Sequence, residues 1–139
     1  MAIELHVFMH DSRVPSRAAW QHTIEQLGFP TTLERSLDLR RDTGFRPTIY
    51  KEQPTGFEFH LEPAAGILSG YSHIAPHVGD RDMCATFRWG GDLTECAAAL
   101  SAAAALTKIA GGIYYYPDDD ILYGPDEVVE ATRRDLSSI

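Results

Sequence analysis

One stretch constrains the fold more than any other: residues 90–112, GGDLTECAAALSAAAALTKIAGG. Asp92 can cap a helix, Glu95 three residues on completes a capping box, and the glycine pair that starts at Gly111 predicts the end. Between these ends the only charged residues are Glu95 and Lys108. A helix that is apolar around its whole circumference must be covered on several sides. The sequence therefore predicts a central helix packed on a sheet and covered by other helices or by a second subunit.

Alternating apolar residues predict the strands of that sheet. Such patterns occur at residues 2–9, 47–63, 83–89, 113–116 and 121–123, and a strand is also favoured within residues 31–39. Within residues 47–63, the sequence Gln53-Pro54-Thr55-Gly56 has proline and glycine where a type I turn favours them, so a hairpin is predicted to turn there. Residues 63–82 are rich in glycine, serine and proline and predict an irregular loop.

The remaining helix signals complete the fold prediction. Ser16 is a good N-cap for a helix that ends at Gly28, and Pro125 with the acids after it opens a last helix. The order of elements predicts the α+β class: a single mostly antiparallel or mixed sheet with about three helices packed on one face. At 139 residues, the chain is expected to be one domain over residues 1–139.

The net charge of −8 is concentrated near the C-terminus. From Ile113 onward there are seven acidic and two basic residues. An acidic surface repels nucleic acid and attracts basic partners. We therefore expect no binding of nucleic acid.

Targeting and cofactor signals are absent from the sequence. The first residues, MAIELHVF, lack the basic start of a signal peptide, and no apolar run has the length of a membrane helix. Cys84 and Cys96 are expected to be reduced and buried. We expect a cytoplasmic protein that binds no membrane and carries no cofactor.

The stretch IYYYPDDDILYG, residues 113–124, is the best candidate for a binding surface. Three consecutive aspartates point in different directions, which suits a solvated turn better than a calcium site. Tyrosines beside them suit a protein interface, where this residue type is enriched. The predicted binding residues are Tyr114, Tyr116, Asp118, Asp119, Asp120 and Tyr123.

A second set of polar residues lies in the predicted loop. His73, His77, Asp80 and Asp82 have residue types that bind zinc, and the two histidines are four residues apart. Pro76 lies between the histidines and works against the regular helix that would bring them together. These four residues are therefore the candidates for a metal site, but no metal is expected there by default.

The sequence also carries a resemblance that spans most of the chain. Residues 79–120, with FRWGGD followed by the alanine-rich segment, a glycine pair and a Tyr/Asp/Pro turn, resemble a group of small bacterial proteins of unknown activity. VPSRAAWQHTIEQLGF near the N-terminus is similar to the same group. The resemblance implies a shared fold and brings no catalytic residues. In size, acidity and predicted layout the chain also resembles immunity proteins, which neutralise bacterial toxins.

No catalytic constellation accompanies these features, since nucleophile-elbow, dinucleotide and phosphate-loop motifs are absent. We therefore expect a non-enzymatic protein-binding domain with a basic protein partner, such as an immunity-type inhibitor of a bacterial toxin. Two alternatives remain open. One is a small metal-dependent enzyme built on His73, His77, Asp80 and Asp82. The other is a self-associating structural domain that forms a homodimer through the alanine-rich helix or an open sheet edge.

Overall fold

The computed structural model describes residues 2–139 and contains one antiparallel sheet of seven strands. The strands are β1 (Ile3–Met9), β2 (Thr31–Leu33), β3 (Gly44–Tyr50), β4 (Gln53–Pro63), β5 (Met83–Trp89), β6 (Ile113–Tyr116) and β7 (Ile121–Tyr123). Their order across the sheet is β2-β3-β4-β5-β1-β6-β7, so the N-terminal strand lies between strands from the second half of the chain. The helices are α1 (Arg17–Gln26), α2 (Ala64–Leu68), α3 (Ala75–Val78), α4 (Leu93–Ala110) and α5 (Val128–Ser137). The predicted α+β class is thus confirmed, with five helices in place of about three.

The alanine-rich segment forms α4, the longest helix in the part of the chain described, and its predicted ends are confirmed. Asp92 accepts hydrogen bonds from the backbone N–H groups of Thr94 and Glu95, at 2.7 and 3.0 Å. The predicted capping box is not formed, because the Glu95 side chain accepts from the N–H of Gly90 at 3.3 Å and not from that of Asp92. Gly111 adopts the left-handed conformation, with φ +62°, that ends a helix without strain.

The central position of α4 is also confirmed. It packs against the inner face of the sheet and is flanked by α1 and α5, so the chain itself covers the helix. Its alanines allow this close approach, and six of them are 0% exposed: Ala98, Ala99, Ala102, Ala103, Ala104 and Ala105. By length and composition alone α4 could cross a membrane, but 67% of it is buried inside the protein, as expected of a core helix. Trp20 of α1 donates a hydrogen bond to the carbonyl of Ala102 at 2.9 Å.

The outer face of the sheet is covered over only part of its width. The helical turns of residues 64–82, which we call the cover segment, bury Ile74 and Val78 against Phe8 and Tyr115 of the sheet. The prediction of an irregular loop there was wrong, because the apolar outer face of β1, β5 and β6 binds this segment and orders it. Over β3 the outer face is open, and Phe45 and Ile49 are 53% and 46% exposed.

The first hairpin turns earlier than predicted. Lys51 and Glu52 form a two-residue turn with φ values of +49° and +67°, and Tyr50 pairs with Gln53. Both positive angles are typical of the type I′ turn that matches the twist of paired strands. Pro54 lies inside β4, in a part that pairs with β3 but not with β5, whose pairing begins at Glu58. A missing N–H is tolerated at such an unpaired edge.

Candidate functional site

The acidic hairpin, β6 and β7 with the turn between them, forms one edge of the sheet. Tyr116 pairs with Ile121, and Pro117–Asp119 form a single turn of 3-10 helix between the strands. Asp120 closes this turn in the left-handed conformation, with φ +52°. Aspartate tolerates this conformation better than most residues. The predicted strand–turn–strand is confirmed.

Asp120 differs from its two acidic neighbours because it is held by the protein. Its Oδ1 atom lies 2.8 Å from His73 Nε2 and accepts a hydrogen bond from the Tyr115 hydroxyl, also at 2.8 Å. These bonds, from His73 first and Tyr115 second, lower the pKa of Asp120. Burial, followed by the bond to Asp120, raises the pKa of Tyr115 to about 12. The cluster joins the hairpin tip to the cover segment.

Asp118 and Asp119 are exposed to solvent, as predicted for this turn. Within residues 2–139, no ion pair and no side-chain hydrogen bond involves either carboxylate. Two unpaired negative charges therefore lie on a tip that Asp120 links to the cover segment.

The tyrosines lie differently from the predicted docking surface. Tyr114 and Tyr116 do share a strand face, but this face looks toward α4 and α5. Tyr114 is only 2% exposed, because the helices cover it, so it does not lie on the open surface that was predicted, and its part in binding stays a prediction. Tyr116 and Tyr123 are half-buried beside it, and the rings of Tyr114 and Tyr123 are 5.6 Å apart.

These three tyrosines line an open cleft of about 210 Å³ between the acidic hairpin, α4 and α5. We call it the tyrosine cleft. Asp119 reaches it from the hairpin and Asp135 from α5, and Leu100 and Ile121 supply apolar surface. Burial raises the pKa of Asp135; the nearby Arg134 opposes this effect and the charge of Asp119 adds to it.

Sequence reasoning missed Asp135, because nothing in a helical sequence shows which residue will face a hairpin from the same region of the chain. His73 was noticed only as a metal candidate, and its role in holding Asp120 gave no local signal. Both positions follow from how α5 and the cover segment pack on the sheet.

The four metal candidates are not gathered into one site. His73 contacts Asp120, Asp80 lies 3.4 Å from His10, and Asp82 accepts a hydrogen bond from the backbone N–H of Asp11 at 2.8 Å. His77 is exposed on α3. Within residues 2–139, no group of three or more histidine, cysteine, aspartate or glutamate side chains has the arrangement to hold a metal ion.

A buried histidine lies on the outer face of the sheet. His6 is 1% exposed; its Nδ1 atom is 2.9 Å from the Thr86 hydroxyl and its Nε2 atom has no hydrogen-bond partner in the described chain. Burial lowers the pKa of His6 to about 4 and raises the pKa of the neighbouring Cys84 to about 12. A thiol with that pKa stays protonated near neutral pH, so Cys84 is no nucleophile despite lying 3.8 Å from His6.

Comparisons with protein-family models, with curated proteins and with solved structures find no match to this chain. The likeness to a group of small bacterial proteins stays a prediction.

Proposed function

We propose that this chain is a non-enzymatic protein-binding domain whose partner is a basic protein. The observation that carries the proposal is the pair of free carboxylates, Asp118 and Asp119, on a tip that is held by Asp120. Charges that are already fixed in position lose little conformational freedom on binding. Complementary charge across an interface accelerates association and orients the two surfaces.

A toxin with a cationic substrate cleft is the kind of partner that suits this surface. The acidic hairpin would enter such a cleft and block it, in the manner of an immunity protein. Two features support a binding function over catalysis. Cys84 is buried and protonated, and the hydroxyl of Tyr115 already donates to Asp120.

Affinity capture from the source lysate, quantified by mass spectrometry, tests the proposal. The bait pair is the wild type and the double variant Asp118→Asn with Asp119→Asn. The matched control is Glu52→Gln with Glu62→Gln, which removes the same charge at exposed positions outside the acidic hairpin. We expect a basic protein that is retained by the wild type and the control, lost by the hairpin variant, and retained less well as salt rises.

Equal retention of every captured protein by the hairpin variant and the control would overturn the proposal. So would a set of specific partners that are all acidic, because the free carboxylates would then repel them.

Self-association is a second candidate function, and a separate observation favours it. Phe45 and Ile49 expose apolar surface on the same outer face of β3, with Pro47 between them and Pro54 opposite Ile49 on β4. The earlier idea that α4 forms the dimer contact loses its basis, because α4 is covered within the chain. Light scattering across a hundredfold range of concentration would show a dimer, and Ile49→Lys would return it to a monomer. A monomer at every concentration contradicts this candidate.

A further inference from the structure

The floor of the tyrosine cleft contains a tyrosine, Tyr114, whose hydroxyl has no hydrogen-bond partner in the described residues. Tyr114 is 2% exposed and lines the cleft, yet its hydroxyl forms no hydrogen bond within residues 2–139. The charge of Asp135 is among the causes that raise the pKa of Tyr114, after burial, which places this hydroxyl near the carboxylate. The hydroxyl oxygen is not itself fully buried, so it is accessible from the cleft and can accept a hydrogen bond from a ligand.

The charges at the cleft point to a cation. Asp119 and Asp135 both line it, and each is close enough to the other to disfavour ionisation of Asp135. None of the ion pairs within residues 2–139 involves either carboxylate. A bound cation would relieve the repulsion between them and would pair with both.

The shape and lining of the cleft select among cations. Tyrosine rings attract a cation over their faces, and a flat guanidinium can also stack on them. The cleft is open to solvent and has a volume of about 210 Å³, which leaves room for a side chain to enter. The planar guanidinium of arginine has five N–H donors, whereas the ammonium of lysine has three on a single atom, so arginine is better suited to contact two carboxylates and a hydroxyl at once.

We infer that the tyrosine cleft binds one arginine side chain of the basic partner, with the guanidinium between Asp119 and Asp135 and a donor on the Tyr114 hydroxyl. This inference rests on the proposed function, because it names the residue of the partner that the acidic surface anchors. The residues involved are different: Asp118 on the tip would attract the basic partner, whereas Asp135 on α5 would bind the partner's arginine side chain.

The test uses a single residue as the probe, N-acetyl-arginine-N′-methylamide, titrated into the isotope-labelled full chain and followed by NMR. The citrulline analogue is the uncharged control of the same shape, and the lysine analogue tests the choice of cation. We expect saturable shifts confined to amides around Asp119, Ile121 and Asp135. The citrulline analogue should cause none, and the lysine analogue should bind several-fold more weakly.

Three variants locate the site. Asp135→Asn should weaken arginine binding at least tenfold, and Tyr114→Phe should weaken it several-fold without disturbing the ring packing. Asp126→Asn is the matched control, since it removes the same charge from an exposed residue outside the cleft. Shifts that are equal for Asp135→Asn and Asp126→Asn, or lysine binding as tight as arginine binding, would overturn the inference.

The two proposals fail separately. If a basic protein depends on Asp118 and Asp119 but ignores Asp135→Asn, the cleft is not the anchor while the proposed function stands. If the arginine probe binds in the cleft and no basic protein is captured, the proposed function falls and the cleft remains a guanidinium site.

Discussion

His73 Nε2 and Asp120 Oδ1 lie 2.8 Å apart, and this contact joins the cover segment to the tip of the acidic hairpin. The two residues are 47 positions apart in the sequence. Because Tyr115 donates to the same oxygen, the contact couples the hairpin to the outer face of the sheet.

Removal of this contact should loosen the tip and leave the core intact. We expect His73→Ala to accelerate amide hydrogen exchange over residues 117–121 several-fold, with the thermal midpoint close to that of the wild type, because both side chains are largely exposed. His77→Ala is the matched control, an exposed histidine nearby without such a bond. Unchanged exchange at the tip in His73→Ala would show that the contact does not order it.

His6 should make the protein less stable in mild acid. Its folded pKa of about 4 is below the ordinary 6.5, so between these values the unfolded chain binds a proton that the folded chain excludes. Stability therefore falls as pH falls, and this one group should reduce the free energy of unfolding by about 2 kcal/mol between pH 7 and pH 5. Glu4, whose Oε2 atom is 3.6 Å from Nε2, would offset part of this loss.

Urea unfolding at pH 7 and pH 5 measures the effect, with His6→Gln as the comparison that removes only this titration. The difference between the two proteins isolates His6 from the carboxylates, which also titrate in acid. Parallel pH dependence of both proteins would contradict the assignment of the effect to His6.

Gly56 should tolerate no side chain, because the neighbouring strand β3 packs directly against its Cα. A Cβ atom there would lie 2.6 Å from the Arg46 carbonyl oxygen and would also meet the Phe45 ring. We expect Gly56→Ala to lower the free energy of unfolding by about 1–3 kcal/mol, as overpacking does elsewhere. Gly66→Ala is the control, since Gly66 lies in α2 with open space around its Cα. The control should be neutral or stabilising by up to about 1 kcal/mol, and equal effects at both positions would refute the argument.

Gln21 should be essential for the edge strand β2. Its buried side chain accepts from the N–H of Leu33 at 2.7 Å and donates to the carbonyl of Thr31 at 3.0 Å, so it pairs the free edge of this strand with α1. Gln21→Met keeps the volume but leaves both backbone groups unpaired, and should cost about 1–3 kcal/mol in urea unfolding. The exposed Gln26→Met is the control and should change the free energy of unfolding by less than about 0.5 kcal/mol.

The turn of the first hairpin shows where local reasoning was misled. Proline and glycine at Pro54 and Gly56 gave a stronger turn signal than Lys51 and Glu52, whose side chains disfavour positive φ. The register was decided by the core: it places Phe57 and Phe59 against α4 and puts Gly56 where Phe45 crosses it. A turn at Pro54 would have shifted this pairing.

The order of the cover segment could not be predicted from its sequence for a different reason. Its glycines, serines and prolines carry no periodic pattern, and only short helical turns form. It is ordered because Phe8, Cys84 and Tyr115 present an apolar outer face that must be buried. Strand β1 alternates in sequence like a half-exposed strand, yet both of its faces are buried from Leu5 to Met9, the inner face by α4 and the outer face by the cover segment.

The sequence alone determined the features that depend on neighbours along the chain. The caps of α4, its burial, the strands around the aspartate turn and the exposure of Asp118 and Asp119 all follow from local hydrogen bonding and from hydrophobic periodicity, which act over a few residues. Tertiary structure determined the contacts between separate elements. These are the burial of Tyr114 and His6, the contact of His73 with Asp120, and the proximity of Asp119 to Asp135. These depend on how separate elements pack, and the free energy of packing belongs to pairs of surfaces, which no single stretch of sequence contains.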